Sequence, residues 1–239
     1  MKILGLDSSG LVASVAIWED DLLLAEYTTD YKKTHSQTLL PMIDEIVKMT
    51  ETELAELDAI AVTAGPGSFT GLRIGSATAK GLGQALSKPL IAVPTTEALA
   101  WNFCGSEAVI CPLMDARRSQ VYTGLYRWNQ ETETMDCLFS QEAMAVDDII
   151  AEVNRMGQPV IYLGDGADAY RTVLSEKTEV AFSFAPIHMS KQRAASLAAC
   201  AFVYAKDGKL QTAAEFVPTY LRKSQAERER EEKERAEQA

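Results

Sequence analysis

The feature that most constrains the fold is an order of short apolar segments that occurs twice along the 239 residues. In the first hundred residues, β-branched and leucine-rich runs typical of strands alternate with stretches of helical periodicity. The predicted strands are residues 2–7, 12–18, 22–28, 58–63 and 90–93. The predicted helices are residues 36–49, 71–86 and 95–103. This half of the chain therefore has the order βββαβαβα.

The second half repeats that order without obvious sequence identity. Its predicted strands are residues 108–114, 120–128, 135–139, 160–163 and 180–184. Its predicted helices are residues 146–156, 167–174 and 190–206, the last with Ser190 as N-cap. The duplicated order predicts an α/β protein of two ribonuclease-H-like lobes, each a mixed sheet with helices packed on it.

The same pattern predicts where the lobes begin and end. We expect a first lobe over residues 1–105 and a second over 106–223, although the helix at about 190–207 could pack back on the first lobe. Residues 224–239 are almost all charged or small, and we expect a solvated tail without a function of its own.

Composition excludes several classes of protein. The net charge of −11 makes the chain a poor candidate for binding nucleic acid unaided, because an acidic surface repels phosphates. The sequence has no apolar stretch of the roughly 18 residues that cross a bilayer. The four cysteines form no C-x-x-C pair and are expected to be buried, reduced thiols. We therefore expect a cytoplasmic protein without a membrane span or a structural metal.

The most informative stretch is residues 65–75, GPGSFTGLRIG, between a predicted strand and a predicted helix. Gly65 and Gly67 can adopt backbone angles closed to other residues. Thr70 is placed to cap the helix, whose first N–H groups could face an anion. The stretch is not a P-loop, because no Gly-Lys-Ser/Thr follows. It is either a phosphate-binding loop or a tight structural turn.

Two further turns could contact a nucleotide. Asp7 and Ser8 end the first strand, where a hydroxyl could meet a phosphate and the carboxylate could position a metal through water. Gly164 and Gly166 form a second strand–glycine–helix junction that a ring or phosphate could approach. In both cases a plain turn remains an equal alternative.

The helix after the glycine loop carries a small residue at every fourth position. These residues are Gly71, Gly75, Ala79 and Gly83. Such a ridge allows another backbone to approach closely, either that of the lobe's own sheet or that of a partner. Leu39 and Ile43 on the preceding helix would extend a partner surface.

These stretches together resemble the TsaB (YeaZ) family of the actin-like ATPase (ASKHA) superfamily. The match runs through residues 4–9, 35–41, 65–75, 115–117 and 220–222. The resemblance implies a role in making threonylcarbamoyladenosine (t6A) at position 37 of tRNA. It also implies a TsaD-like catalytic partner, recruitment of a TsaE-like ATPase, a homodimer when alone, and contact with tRNA only through the complex.

The resemblance also implies that the chain is not itself the catalyst. TsaD-like enzymes hold a metal through two histidines after the strand that follows the glycine loop, where this chain has Thr95 and Leu99. The implied chain needs no cofactor of its own, although it could bind ATP or ADP. The alternatives are a stand-alone kinase, ATPase or metallopeptidase, or a homodimeric nucleotide sensor.

Overall fold

The structure is a computed structural model that describes residues 1–31 and 33–222. The predicted tail at 224–239 lies outside the described residues. The strands are β1 (Lys2–Asp7), β2 (Ala13–Glu19), β3 (Leu22–Thr29), β4 (Ala59–Gly65), β5 (Leu90–Pro94), β6 (Val109–Arg117), β7 (Gln120–Asn129), β8 (Thr134–Ala145), β9 (Val160–Leu163) and β10 (Phe182–Phe184). The helices are α1 (His35–Met49), α2 (Phe69–Leu86), α3 (Thr95–Ala100), α4 (Val146–Met156), α5 (Asp165–Ala169), α6 (Arg171–Lys177) and α7 (Ala194–Lys206).

The strands form two five-stranded mixed sheets with the same topology. The order is β3-β2-β1-β4-β5 in the first sheet and β8-β7-β6-β9-β10 in the second. In each, the first three strands pair antiparallel and the next two add in parallel. The predicted duplication of two α/β lobes is confirmed.

The first sheet is covered on both faces. Helices α1 and α2 pack on one face, where Leu39 and Ile46 join the same apolar core as Leu4 and Val62 of the sheet. Helix α7 packs on the other face against β1 and β2. Gly5 allows this close approach, because a Cβ there would lie 3.0 Å from the carbonyl oxygen of Ala194. The last helix therefore packs on the first lobe.

Two helix predictions in the second half were wrong in detail. Helix α7 begins at Ala194 rather than at Ser190. The Ser190 Oγ instead accepts a hydrogen bond from the N–H of Gly164. The hydroxyl that was predicted to cap the helix therefore binds a loop that is distant in sequence. The helix predicted at 167–174 is two helices, α5 and α6, separated at Tyr170.

Residues 209–222, the C-terminal strap, leave α7 and run along the first lobe. Gln211 exchanges two backbone hydrogen bonds with Leu90 of the edge strand β5. Phe216 is completely buried in the core beneath α2, and the N–H of Thr219 donates to Ala64 O at 2.7 Å. The prediction that the second lobe extends to residue 223 is therefore corrected, because this segment packs on the first.

Cysteine exposure is mixed. All four cysteines are free, and Cys111 and Cys200 are buried as predicted. Cys104 and Cys137 are exposed, which corrects the prediction of four buried thiols. Within residues 1–31 and 33–222, no helix is both long and apolar enough to span a membrane.

Candidate functional site: the interlobe cleft and the helices of the first lobe

The turn after β1 holds its carboxylate inside the protein. Asp7 is 1 % exposed, and its Oδ1 accepts hydrogen bonds from the Ser9 N–H at 2.8 Å, the Ser9 hydroxyl at 2.7 Å and the Thr63 hydroxyl at 3.2 Å. Burial raises the pKa of Asp7, and these hydrogen bonds oppose that rise. These three hydrogen bonds all end on Asp7 Oδ1 and join it to Ser9 and Thr63, which favours a structural role for this carboxylate.

The glycine loop is sealed against the same turn. The Ser8 hydroxyl donates to Gly71 O at 2.9 Å, and the Ser68 N–H donates to Ser9 O at 2.7 Å. A Cβ at Gly67 would lie 2.4 Å from Ser9 O, and one at Gly71 would lie 2.0 Å from Ser8 O. Backbone in van der Waals contact leaves no space for a phosphate between these two segments. The glycines are explained by close backbone packing.

The cap of α2 differs from the prediction. Ser68 is the N-cap, and its Oγ accepts from the Gly71 N–H at 3.3 Å. Thr70 is the second residue of the helix and is exposed. It borders an open cavity of about 720 Å³ together with His35, whose Nε2–H donates to Gly10 O at 2.9 Å. The predicted capping role of Thr70 is therefore corrected.

The glycines of the second junction also serve packing. Gly164 has φ of +96°, and a Cβ there would lie 2.2 Å from Leu113 O. A Cβ at Gly166 would lie 2.8 Å from the same oxygen. Strand β6 crosses so close to this turn that only glycine fits, which favours the plain-turn alternative.

Sequence reasoning missed a polar cluster that faces the cleft from the second lobe. Asp115 Oδ1 accepts from the Tyr170 hydroxyl at 3.2 Å, and Asp165 Oδ1 accepts from the Asp115 N–H at 3.2 Å. Burial raises the pKa of Asp165. Arg117 Nη1 lies 3.1 Å from Asp115 Oδ2 and forms a salt bridge with it. The cluster borders a cavity of about 380 Å³, whose opposite wall includes Ser9 and Ser68.

The six residues predicted to form a partner surface are all inside the first lobe. They are Leu39, Ile43, Gly71, Gly75, Ala79 and Gly83. Leu39 and Ile43 belong to the core, and Ala79 has no exposed surface. A Cβ at Gly75 would lie 2.6 Å from Ser8 Oγ, and one at Gly83 would lie 2.9 Å from Leu90. The ridge packs on the chain's own sheet, so these side chains present no surface to a partner.

The positions of the absent histidines lie in α3. Thr95 and Leu99 are both buried, at 0 % and 1 % exposed. Neither a hydroxyl nor an isobutyl group replaces a metal-bound imidazole. The described part of the chain contains no group of three or more His, Cys, Asp or Glu residues placed to hold a metal ion.

Replacing Asp7 with asparagine tests whether the ionised Asp7 carboxylate lowers the free energy of unfolding. Because the pKa of Asp7 is higher in the folded chain than the ordinary 3.8, folding favours the protonated carboxyl. The wild type therefore loses stability as pH rises from about 4 through the raised folded pKa. Asp7→Asn keeps an acceptor for Ser9 without the charge. Its unfolding free energy, measured in urea from pH 4 to pH 8, should rise relative to wild type across that window. A difference that falls with pH would contradict the assignment.

The two lobes share one strand topology and meet at a cleft, which defines a two-lobed α/β protein. The family described as "TsaD: tRNA N6-adenosine threonylcarbamoyltransferase" matches residues 23–230. The tRNA threonylcarbamoyladenosine biosynthesis protein TsaB of Bacillus subtilis is 31 % identical over 95 % of this chain and 96 % of its own length. A Pseudomonas aeruginosa structure described as similar to peptidase YeaZ has a TM-score of 0.77 and 27 % identity, over 92 % of this chain and 99 % of that chain. The chain belongs to the TsaB (YeaZ) family.

Proposed function

We propose that this chain is a non-catalytic subunit in the synthesis of t6A in tRNA, and that it binds and supports a TsaD-like catalytic subunit. The family supports the pathway, since its Bacillus subtilis and Escherichia coli relatives carry that biosynthesis in their names. Thr95 and Leu99 support the absence of catalysis, because buried groups that do not replace a metal-bound imidazole stand where the resemblance expects histidines.

The observation that carries the docking surface is the outer face of α2. On the side away from the sheet, this helix exposes Ala77, Gly81 and Ala85, which follow each other at intervals of four residues. A Cβ at Gly81 would meet no atom within 4 Å. Helix α1 packs beside α2 and leaves Leu40 55 % exposed. Small side chains on one helix and an exposed leucine on its neighbour suit close packing against helices of a partner.

A bulky side chain on this face should block docking without unfolding the lobe. Ala77→Trp is expected to lower the affinity for the TsaD-like subunit of the same organism at least tenfold. The indole would keep the partner's helix away from α2. The measurement is binding by calorimetry, with circular dichroism to confirm the fold. Ala151→Trp is the matched control, since Ala151 is an exposed alanine within α4 of the second lobe. Equal affinities of the two variants would reject the α2 surface.

The corrected surface also decides which substitutions are informative. Leucine at Gly75 or tryptophan at Ala79 would disturb the interior, since Gly75 lies against Ser8 and Ala79 is fully buried. A lost complex in those variants would report misfolding as readily as lost docking.

The remaining partners follow from the same proposal. In the absence of the TsaD-like subunit, two copies of this chain would pair through the α1–α2 face and form a homodimer. A TsaE-like ATPase would join the assembled complex, and tRNA would reach this chain only there. ATP or ADP would have to enter the interlobe cavity, because the glycine loop and the Ser8 turn close on each other.

A further inference from the structure

Three stretches that are far apart in sequence meet at the mouth of the cleft. The Phe69 ring, from the start of α2, lies 4.9 Å from the Tyr220 ring of the C-terminal strap, and Arg73 Cζ lies 4.0 Å above the Phe69 ring. Two residues further, Arg222 Nη1 donates to Ala116 O of the second lobe at 2.5 Å. The next two residues, Arg117 at the end of β6 and Arg118 in the turn that leads to β7, are exposed. We call this set the arginine–aromatic rim: Phe69, Arg73, Arg117, Arg118, Tyr220 and Arg222.

The rim concentrates positive charge on a protein whose net charge is −11. Arg117 pairs with Asp115 at 3.1 Å, although 84 % of the arginine side chain is exposed. Within residues 1–31 and 33–222, no carboxylate lies within 4.0 Å of a side-chain nitrogen of Arg73, Arg118 or Arg222. Among the described residues, these three guanidinium groups therefore have no carboxylate at salt-bridge distance.

The geometry favours a ligand that lies across the rim rather than inside the cleft. An anion that entered the cavity below the rim would meet two carboxylates, Asp115 and Asp165, against the single guanidinium of Arg117, which already pairs with Asp115. Above them, Arg73 lies on the face of Phe69, and Tyr220 remains 39 % exposed. Guanidinium groups bind phosphate through paired N–H donors, and exposed aromatic rings stack on unpaired bases.

We propose that the rim is a contact surface for RNA, in which Arg73 and Arg118 bind backbone phosphates and Tyr220 stacks on a base. This inference rests on the proposed function, because the acidic remainder of the chain repels RNA and the TsaD-like subunit must bring it to the rim. The rim then contributes to the affinity of the assembled complex for tRNA. An RNA contact also gives a role to residues 220–222 and 115–117, which carry part of the resemblance and lie outside the proposed docking surface of α1 and α2.

The test compares two double variants of equal charge in the assembled complex. Arg73→Gln/Arg118→Gln removes two rim charges. Arg127→Gln/Arg155→Gln removes two charges elsewhere, since Arg127 lies seven residues, or about 23 Å, along β7 from the rim turn. Co-elution with the TsaD-like subunit is measured first, and then binding of unmodified tRNA across a range of salt concentrations.

Because Arg73 lies one turn before Ala77 on the same face of α2, tRNA binding is compared at subunit concentrations at which both double variants co-elute fully with the TsaD-like subunit. The rim variant should bind tRNA at least about tenfold more weakly at low salt, and its slope of log affinity against log salt should be smaller by about 2. Unchanged tRNA binding, or equal losses in the two variants, would overturn the inference and leave the proposed function standing. Weakened ATP binding by the rim variant with unchanged tRNA binding would likewise overturn it, since the arginines would then bind a free nucleotide. A wild-type chain that does not co-elute would overturn both.

Discussion

Gly71→Ala is expected to lower the free energy of unfolding by at least about 2 kcal/mol. The added methyl group would lie 2.0 Å from the carbonyl oxygen of Ser8. That oxygen belongs to the backbone and cannot rotate away, so α2 must move from the turn after β1. The movement would stretch the Ser8 hydroxyl bond to Gly71 O and the Ser68 N–H bond to Ser9 O. Urea denaturation followed by circular dichroism measures the loss.

The same helix supplies the control. Gly81 lies inside α2 with open space around its Cβ position, so Gly81→Ala should stabilise the protein by up to about 1 kcal/mol through helix propensity. Opposite signs for the two substitutions would establish that Gly71 is required by contact and not by flexibility. A stable Gly71→Ala variant would mean that the glycine loop and the Ser8 turn are not tightly apposed in solution.

The order of elements could be predicted because each depends on its own residues. Strand β1 at Lys2–Asp7 and strand β9 at Val160–Leu163 have the predicted bounds, since short apolar runs between turn residues specify strands locally. Helix α4 also has its predicted bounds, with Asp147 and Asp148 in its first turn. The start of α7 could not be predicted in this way. Ser190 bonds to Gly164, which is remote in sequence.

The orientation of α2 shows why the candidate site was harder to predict. Two sets of small residues recur along this helix at intervals of four, one through Gly75 and Ala79 and the other through Ala77 and Gly81. Periodicity marks both as faces suited to close packing. Only the positions of Ser8 and Leu90 decide that the first set faces the sheet and the second faces outwards. That decision depends on tertiary contacts, so the sequence indicated the helix and left open whether the Gly75–Ala79 face contacts the sheet or a partner.

The C-terminal strap gave no periodic signal, because it is neither helix nor strand. Its attachment depends on single residues, and Phe216 is the residue of the strap that is completely buried. Around it, the Lys80 ammonium donates to Phe216 O at 2.9 Å and the Phe216 N–H donates to Thr212 O at 3.1 Å. Without a helical or strand period, the sequence alone does not show which of the two aromatic residues of the strap, Phe216 or Tyr220, enters a core.

Phe216→Ala is expected to lower the free energy of unfolding by about 3–5 kcal/mol, because removing a buried ring leaves a cavity beneath α2. Val217→Ala is the control. Val217 is 70 % exposed, so its truncation should change stability by less than about 0.5 kcal/mol. Urea denaturation of both variants measures the difference, and similar small effects would mean that the strap is not anchored through Phe216.

Hydrogen exchange should show that the Phe216→Ala effect begins at the strap. The Leu90 N–H donates to Gln211 O at 2.8 Å and therefore reports on strap detachment. The Val160 N–H, which donates to Ala181 O at 3.0 Å in the second lobe, does not depend on the strap. Exchange at Leu90 should accelerate more than exchange at Val160, because local opening adds to global unfolding. Equal acceleration would show that strap and lobes unfold only together. In that case the strap belongs to the single cooperative unit, and the rim residues Tyr220 and Arg222 are held as firmly as the core.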